Sequence, residues 1–258
     1  MLKMPGRYYR TIPIDAMRHE ATEVSLDPDT TALVVLHCWN IGCECGPEID
    51  PGFFVGMGSR EATVEAGRMM VEQIRPAMDA ARDAGILVAH VEADSIAAKH
   101  PQAEEEADPP PAATGPAPTP TVPDWRGELV WRSHGEDYAT KSPYAHMDRA
   151  AVVAPHPDEP MAYQTPQFHR QLSKRGIETL IYTGFATDMC ILRAPGGVEP
   201  MAGQGYRTYL MRDATLGVEL PDSFEERVAT RWAIGYFETH FGDTLLTDDF
   251  IEACRGLA

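Results

Sequence analysis

The sequence predicts an α/β fold, with an open, mostly parallel sheet of six strands covered by helices on both sides. Three observations carry this. Thr31–Leu36 is a continuous apolar run, the pattern of a strand buried on both faces. Further runs of this kind alternate with segments whose apolar residues recur at helical spacing. Polar or ionisable residues follow successive runs, and open α/β sheets hold their sites at the carboxyl ends of the strands.

Taken in order, residues 1–30 are polar and irregular and read as an N-terminal arm, leaving 31–258 as the domain. After the first strand, Gly42 to Arg60 reads as a Gly- and Pro-rich loop. Ala62 to Ala84 carries Val64, Met69, Met70, Ile74, Met78 and Ala81 at helical spacing and closes at Gly85. Pro76 should kink or divide that helix, because proline lacks the N–H and crowds the preceding turn. Ile86–Val91 is the second strand, so the unit is a right-handed βαβ crossover.

Residues 95–148 are the least regular stretch. They hold an acidic run at Glu104–Asp108, a Pro/Ala loop from Pro109 to Pro123, and Leu129–Trp131 as a short edge strand. Ala150–Ala154 reads as the third core strand and Thr165–Arg175 as a helix. Glu178–Thr183 and Tyr206–Met211 follow as the fourth and fifth strands. Ser223–His240 is a long amphipathic helix, and Asp243–Thr247 a short sixth strand.

Composition narrows the function. A formal charge of −17 over 258 residues repels phosphate backbones and argues against nucleic acid as a partner. No apolar stretch is long enough to span a bilayer, and the N-terminus lacks a signal-peptide core. Five cysteines, three crowded at Cys38, Cys43 and Cys45, favour reduced thiols over a disulfide framework and hence a cytoplasmic protein.

His37, Glu92 with Asp94, His156 and Cys190 follow the first four strands and form the candidate site. Cys190 lies just beyond a strand end at a helix start. There the dipole favours thiolate, and free backbone N–H groups can hold an oxyanion. The plainer alternative is a small buried hydrophobe. Trp39 walls the pocket or packs in the core, and Tyr163 covers the substrate or packs. Glu92 and Asp94 meet a substrate amine or solvate a loop. Cys38 points to the face opposite His37 and reads as a core thiol. Cys43 and Cys45 are loop residues that can also exchange with Cys190 on oxidation. His90 reads as a hydrogen-bonded core residue and His240 as a helix-end residue suited to the dipole. The methionines of 57–78 read as core or subunit interface.

Ala32-Leu-Val-Val-Leu-His-Cys-Trp-Asn40, Tyr163-Gln-Thr165, Gly176 through Thr-Gly-Phe-Ala-Thr-Asp-Met-Cys190, and Gly205-Tyr206 with Asp213-Ala214 together resemble the isochorismatase-like cysteine hydrolase superfamily over roughly residues 31–252. The resemblance implies a Rossmann-like three-layer sandwich, homo-oligomers and no cofactor. It also implies a cysteine nucleophile served by an Asp at the end of strand one and a Lys at the end of strand three. A cis peptide is expected within Gly184–Thr187, where Ala186 and Thr187 would face the substrate. Here the Asp position is His37, and the Lys position, counted back from Thr165, falls at His156. Pro195-Gly-Gly197 should interrupt the helix after Cys190.

Three chemistries fit these residues. His37 can replace the carboxylate as general base for Cys190, with His156 as a second donor, in a hydrolase of small-molecule amide, carbamoyl or related C–N bonds. The substitutions can instead leave a non-catalytic small-molecule binding protein. Or His37, His156 and a thiolate can form a metal site for hydrolysis, although no run of ligands matches a specific metal signature.

Overall fold

A computed structural model describes residues 1–43, 46, 57–109, 125–141 and 146–257. Cys45 and most of the Pro/Ala loop lie outside the described residues. Its centre is an eight-stranded sheet: β1 (Leu2–Arg10), β2 (Arg18–Leu26), β3 (Thr31–Leu36), β4 (Leu87–Val91), β5 (Met161–Ala162), β6 (Thr179–Phe185), β7 (Arg207–Leu216) and β8 (Thr244–Leu245). The order is β2-β1-β8-β7-β6-β3-β4-β5, with β3 to β8 parallel and β1 and β2 antiparallel.

The helices among the described residues are α1 (Arg60–Met69), α2 (Arg75–Asp83), α3 (Asp94–Ala97), α4 (Trp125–His134), α5 (Tyr138–Lys141), α6 (Thr165–Lys174), α7 (Cys190–Arg193), α8 (Val198–Gly203), α9 (Val228–His240) and α10 (Thr247–Arg255). No helix among them is long and apolar enough to cross a membrane.

Strand alternation divides the core into two layers. Leu33 and Val35 of β3 pack with Ile181, Met70, Ile74, Met78 and Phe250 on one face. Ala32, Val34 and Leu36 pack with Tyr182, Phe168, Leu172, Met201 and Phe237 on the other. Every residue of β3 is buried, which is why its sequence is apolar without interruption.

Four expectations need correction. Residues 1–30 are not an irregular arm. They hold a β-hairpin that extends the sheet through β8, so the sheet has eight strands rather than six. The inward residues Leu2, Met4, Val24 and Leu26 carry the signal, diluted by charged residues on the open face. Ala150–Ala154 is not a strand but a 3-10 turn at Ala151–Val153, with Ala150 and Val153 set into the core. A short apolar run does not by itself distinguish strand from turn or helix. The third parallel strand in its place is the two-residue β5. Leu129–Trp131, expected as an edge strand, lies inside α4 with all three side chains exposed. The last long helix begins at Val228, because Arg227 takes the left-handed conformation at φ 51°.

Pro76 has the foreseen effect. α1 and α2 are joined through a π-helical turn at Met70–Ile74, where the Arg75 N–H reaches the Met70 carbonyl. The extra residue per turn accommodates the proline at the start of α2. Pro195-Gly196-Gly197 likewise ends α7 after one turn, with Gly196 at φ 79° and α8 starting afresh at Val198.

Candidate functional site

The carboxyl ends of β3 and β6 face a cavity of about 130 Å³. His37 comes directly after β3. Its backbone takes φ 49°, uncommon for a residue with a side chain, while its N–H still donates to the Val91 carbonyl at 3.0 Å. The ring is buried, and Nδ1 has no hydrogen-bond partner.

Behind His37 stands a buried polar chain. Trp39 stacks on the imidazole, centroids 5.0 Å apart and planes 23° from parallel. Its indole Nε1 donates to Glu92 Oε2 at 2.9 Å. Glu92 in turn pairs with Arg149 Nη1 through its other oxygen. The guanidinium also donates to the carbonyls of Val35, at 3.3 Å, and Val153, at 3.0 Å. Arg149 and Glu92 are both buried, so each charge is matched where an isolated one would be costly. Burial first, then the Arg149 charge, pushes the His37 imidazole down to about 4, against a smaller opposing pull from the Glu92 backbone. The ring is therefore neutral at neutral pH. Burial pushes the Glu92 carboxyl up, and Arg149 and Trp39 pull it back.

Cys190 is the first residue of α7 and lines the same cavity as His37. Strand β6 reaches it through Gly184, at φ 113°, where a Cβ would lie 2.0 Å from the Leu36 carbonyl oxygen. Only glycine fits there, and the Phe185–Ala186 peptide that follows is cis, in the stretch where the family resemblance implies one. The thiolate argued from the helix dipole does not survive. α7 has one turn, so little macrodipole builds up. Burial pushes the Cys190 thiol above its ordinary value; a backbone hydrogen bond from Ala186 lowers it, and the nearby Asp188 raises it again. The side chain therefore rests as a thiol. Of the backbone donors around it, those of Thr187, Met189 and Ile191 are engaged, with Leu216, Ala186 and Ala186 respectively. The N–H of Cys190, at the first helical position, has no intrahelical acceptor.

Ile41, Met57, Met70, Met189 and Val218 make most of the remaining wall, together with Thr63, Ala66 and Phe185. Of the residues singled out from sequence, Cys190, His37, Trp39 and Ala186 meet at the cavity. The others do not. His156 is exposed and touches Glu159 through its backbone alone. Its placement followed from a third strand at 150–154 that does not exist. Glu92 neither meets the cavity nor solvates a loop; it is held behind Trp39. Thr187 is buried, its hydroxyl shared with Thr215 at 2.7 Å. Tyr163 packs on Ala97, Ala103 and Met161, away from the cavity. Asp94 is exposed.

Cys38 is a core thiol pushed up to about 12 by burial. His90 is fully buried with Nε2 2.8 Å from Glu159 Oε2, as expected of a core histidine. Arg149 was missed because nothing local in Met147-Asp-Arg-Ala150 marks it, and its carboxylate partner lies 57 residues away. Met57 and Met70 do more than pack, since both face the cavity. Among the described residues no group of three or more His, Cys, Asp and Glu side chains converges to hold a metal.

A family model described as the isochorismatase domain matches residues 31–248. Among solved structures, a cysteine hydrolase from Pseudomonas syringae pv. phaseolicola is similar at 15% identity, covering 90% of this chain and 96% of the other, with a TM-score of 0.58. An isochorismatase family protein from Burkholderia thailandensis is similar at 17% identity, covering 90% and 98%, with a TM-score of 0.52. No curated protein matches the sequence.

Proposed function

The chain belongs to the isochorismatase family of hydrolases, and on that premise we propose that it is a cysteine-dependent hydrolase of a small-molecule amide, carbamoyl or related C–N bond, with Cys190 as nucleophile and His37 as base. One observation supports the reading above the rest: a neutral, buried imidazole and a half-buried thiol line one cavity at adjacent strand ends.

In this mechanism the Cys190 sulfur attacks the carbonyl carbon while its proton passes to His37. Since the thiol is not ionised at rest, transfer and attack are concerted, as general-base catalysis allows. The carbonyl oxygen takes the displaced electron pair and is held by the Cys190 N–H. The amine then leaves with the proton from His37. Water, deprotonated by the same ring, attacks the thioester and returns the thiol. Trp39 fixes the ring plane and excludes bulk water, and Ala186 borders the reacting carbon. His156 has no part, and with it goes the metal reading that paired it with His37.

A binding-only role is favoured by one observation: no Lys or Arg among the described residues lines the cavity, where the family resemblance implies a lysine. Residues 31–258 form the hydrolase domain in this reading, with 1–30 contributing the added hairpin. Assembly into a homo-oligomer and a cytoplasmic setting complete it. The test is a panel of neutral amides, carbamoyl compounds and ureas, followed by released ammonia. Turnover that vanishes in Cys190→Ala supports the hydrolase; turnover that survives it, or none in the wild type, removes it.

A further inference from the structure

We infer that the cavity between His37 and Cys190 takes an uncharged, apolar acyl group of about six carbons and excludes carboxylate-bearing substrates; as a specificity, this rests on the hydrolase reading above.

The walls carry the first part. Ile41, Met57, Met70, Phe185 and Val218 are apolar. Thr63 also lines this space, and its hydroxyl already donates to the Ser59 carbonyl at 2.9 Å. His37 is neutral. A space of about 130 Å³ is close to an apolar cavity of roughly 150 Å³ that stays dry and admits benzene.

The charges carry the second. No Lys or Arg among the described residues lines the cavity. Arg149 lies behind Trp39, its guanidinium donating to Glu92 and to the carbonyls of Val35 and Val153. The charge felt at the sulfur is instead negative. Asp188 sits close enough to raise the thiol, and its carboxylate is fixed by the Val218 N–H at 2.8 Å. A substrate carboxylate would lose its water and find an anion beside it and, among the described residues, no cation lining the cavity to meet it. The net charge of −17 opposes its approach as well.

The test separates cavity chemistry from turnover. Cys190 in the full chain is alkylated with iodoacetamide, neutral, and iodoacetate, anionic. In each case the S–C bond forms as iodide leaves. Rates are read by mass spectrometry on the Cys190 peptide and normalised to glutathione. The amide should be favoured by about tenfold or more over its ratio on glutathione. Met189→Lys, at a half-exposed wall position, should abolish the preference, and the ratio cancels any general change in thiol reactivity. A wild-type ratio equal to that of glutathione overturns the proposal, as does a sulfur closed to both reagents. Paired substrates, benzamide against its para-carboxylate and butyramide against succinamate, then extend the test to turnover. A preserved alkylation preference with no turnover of either pair removes the hydrolase and leaves the cavity assignment standing. Equal turnover within the pairs overturns the specificity.

Discussion

Glu92 holds Trp39 by one carboxylate oxygen and Arg149 by the other. A buried carboxylate thus ties the indole that stacks on His37 to the cation that lowers its basicity. Glu92→Gln keeps the shape and removes the charge. Arg149 is then left buried without its counterion, which should cost about 3 kcal/mol in denaturant unfolding. Its field on His37 would also act uncompensated. The acid limb of activity should therefore move further down in pH, a change that a merely structural residue would not produce.

The pH profile of the wild type follows from the same ring. His37 is active as a base when unprotonated, and its imidazole is held at about 4. kcat/KM should rise with pH through about 4 and be level by pH 6. A limb near the ordinary histidine value would mean that another group is the base.

Cys190→Ala should leave no measurable turnover, and His37→Gln should lower kcat/KM by about 10²- to 10⁴-fold, both with unfolding midpoints near wild type. Unchanged turnover in His37→Gln would assign the base to another residue.

Stability should fall in acid. His37 and His90 are pushed down to about 4 and about 3 in the folded chain, from an ordinary 6.5. The unfolded chain therefore binds more protons below pH 6.5. The stability these neutral rings contribute is fully present above that pH and is lost as pH falls through the folded values. Each ring adds a slope of about 1.4 kcal/mol per pH unit in its window. Burial pushes the Glu159 carboxyl up, but hydrogen bonds from His90, Arg82 and the His156 N–H outweigh it and hold it at about 2, which extends the loss below pH 4.5. Chemical denaturation from pH 7 to 4 measures this, and His37→Gln should remove one proton's share of the slope.

Gly184→Ala should destabilise the protein by more than about 2 kcal/mol, because the new methyl meets the Leu36 carbonyl at a left-handed φ. A thermal shift within a degree of wild type would contradict the close approach of β3 and β6.

The long parallel strands β3, β4, β6 and β7 were legible because burial on both faces writes an uninterrupted apolar run. So was the interruption after Cys190, because Pro195-Gly-Gly197 has few conformational options. β5 was not legible: two residues carry no periodicity, and the neighbouring Ala150–Ala154 imitated it. That error displaced His156 onto a strand end. His37 and Cys190 were readable from their positions after β3 and near β6. The Trp39–Glu92–Arg149 chain was not, since its members come together only when residues 53 and 57 positions apart pack side by side.

The added hairpin settles where the sheet stops. Its outer strand, β2, turns His19, Glu20 and Glu23 along the rim, and at the far rim β5 offers only two residues of backbone. A fibril grows by laying one chain's open backbone ribbon on the next. With one rim charged and the other truncated, such growth is disfavoured at both ends of the described sheet.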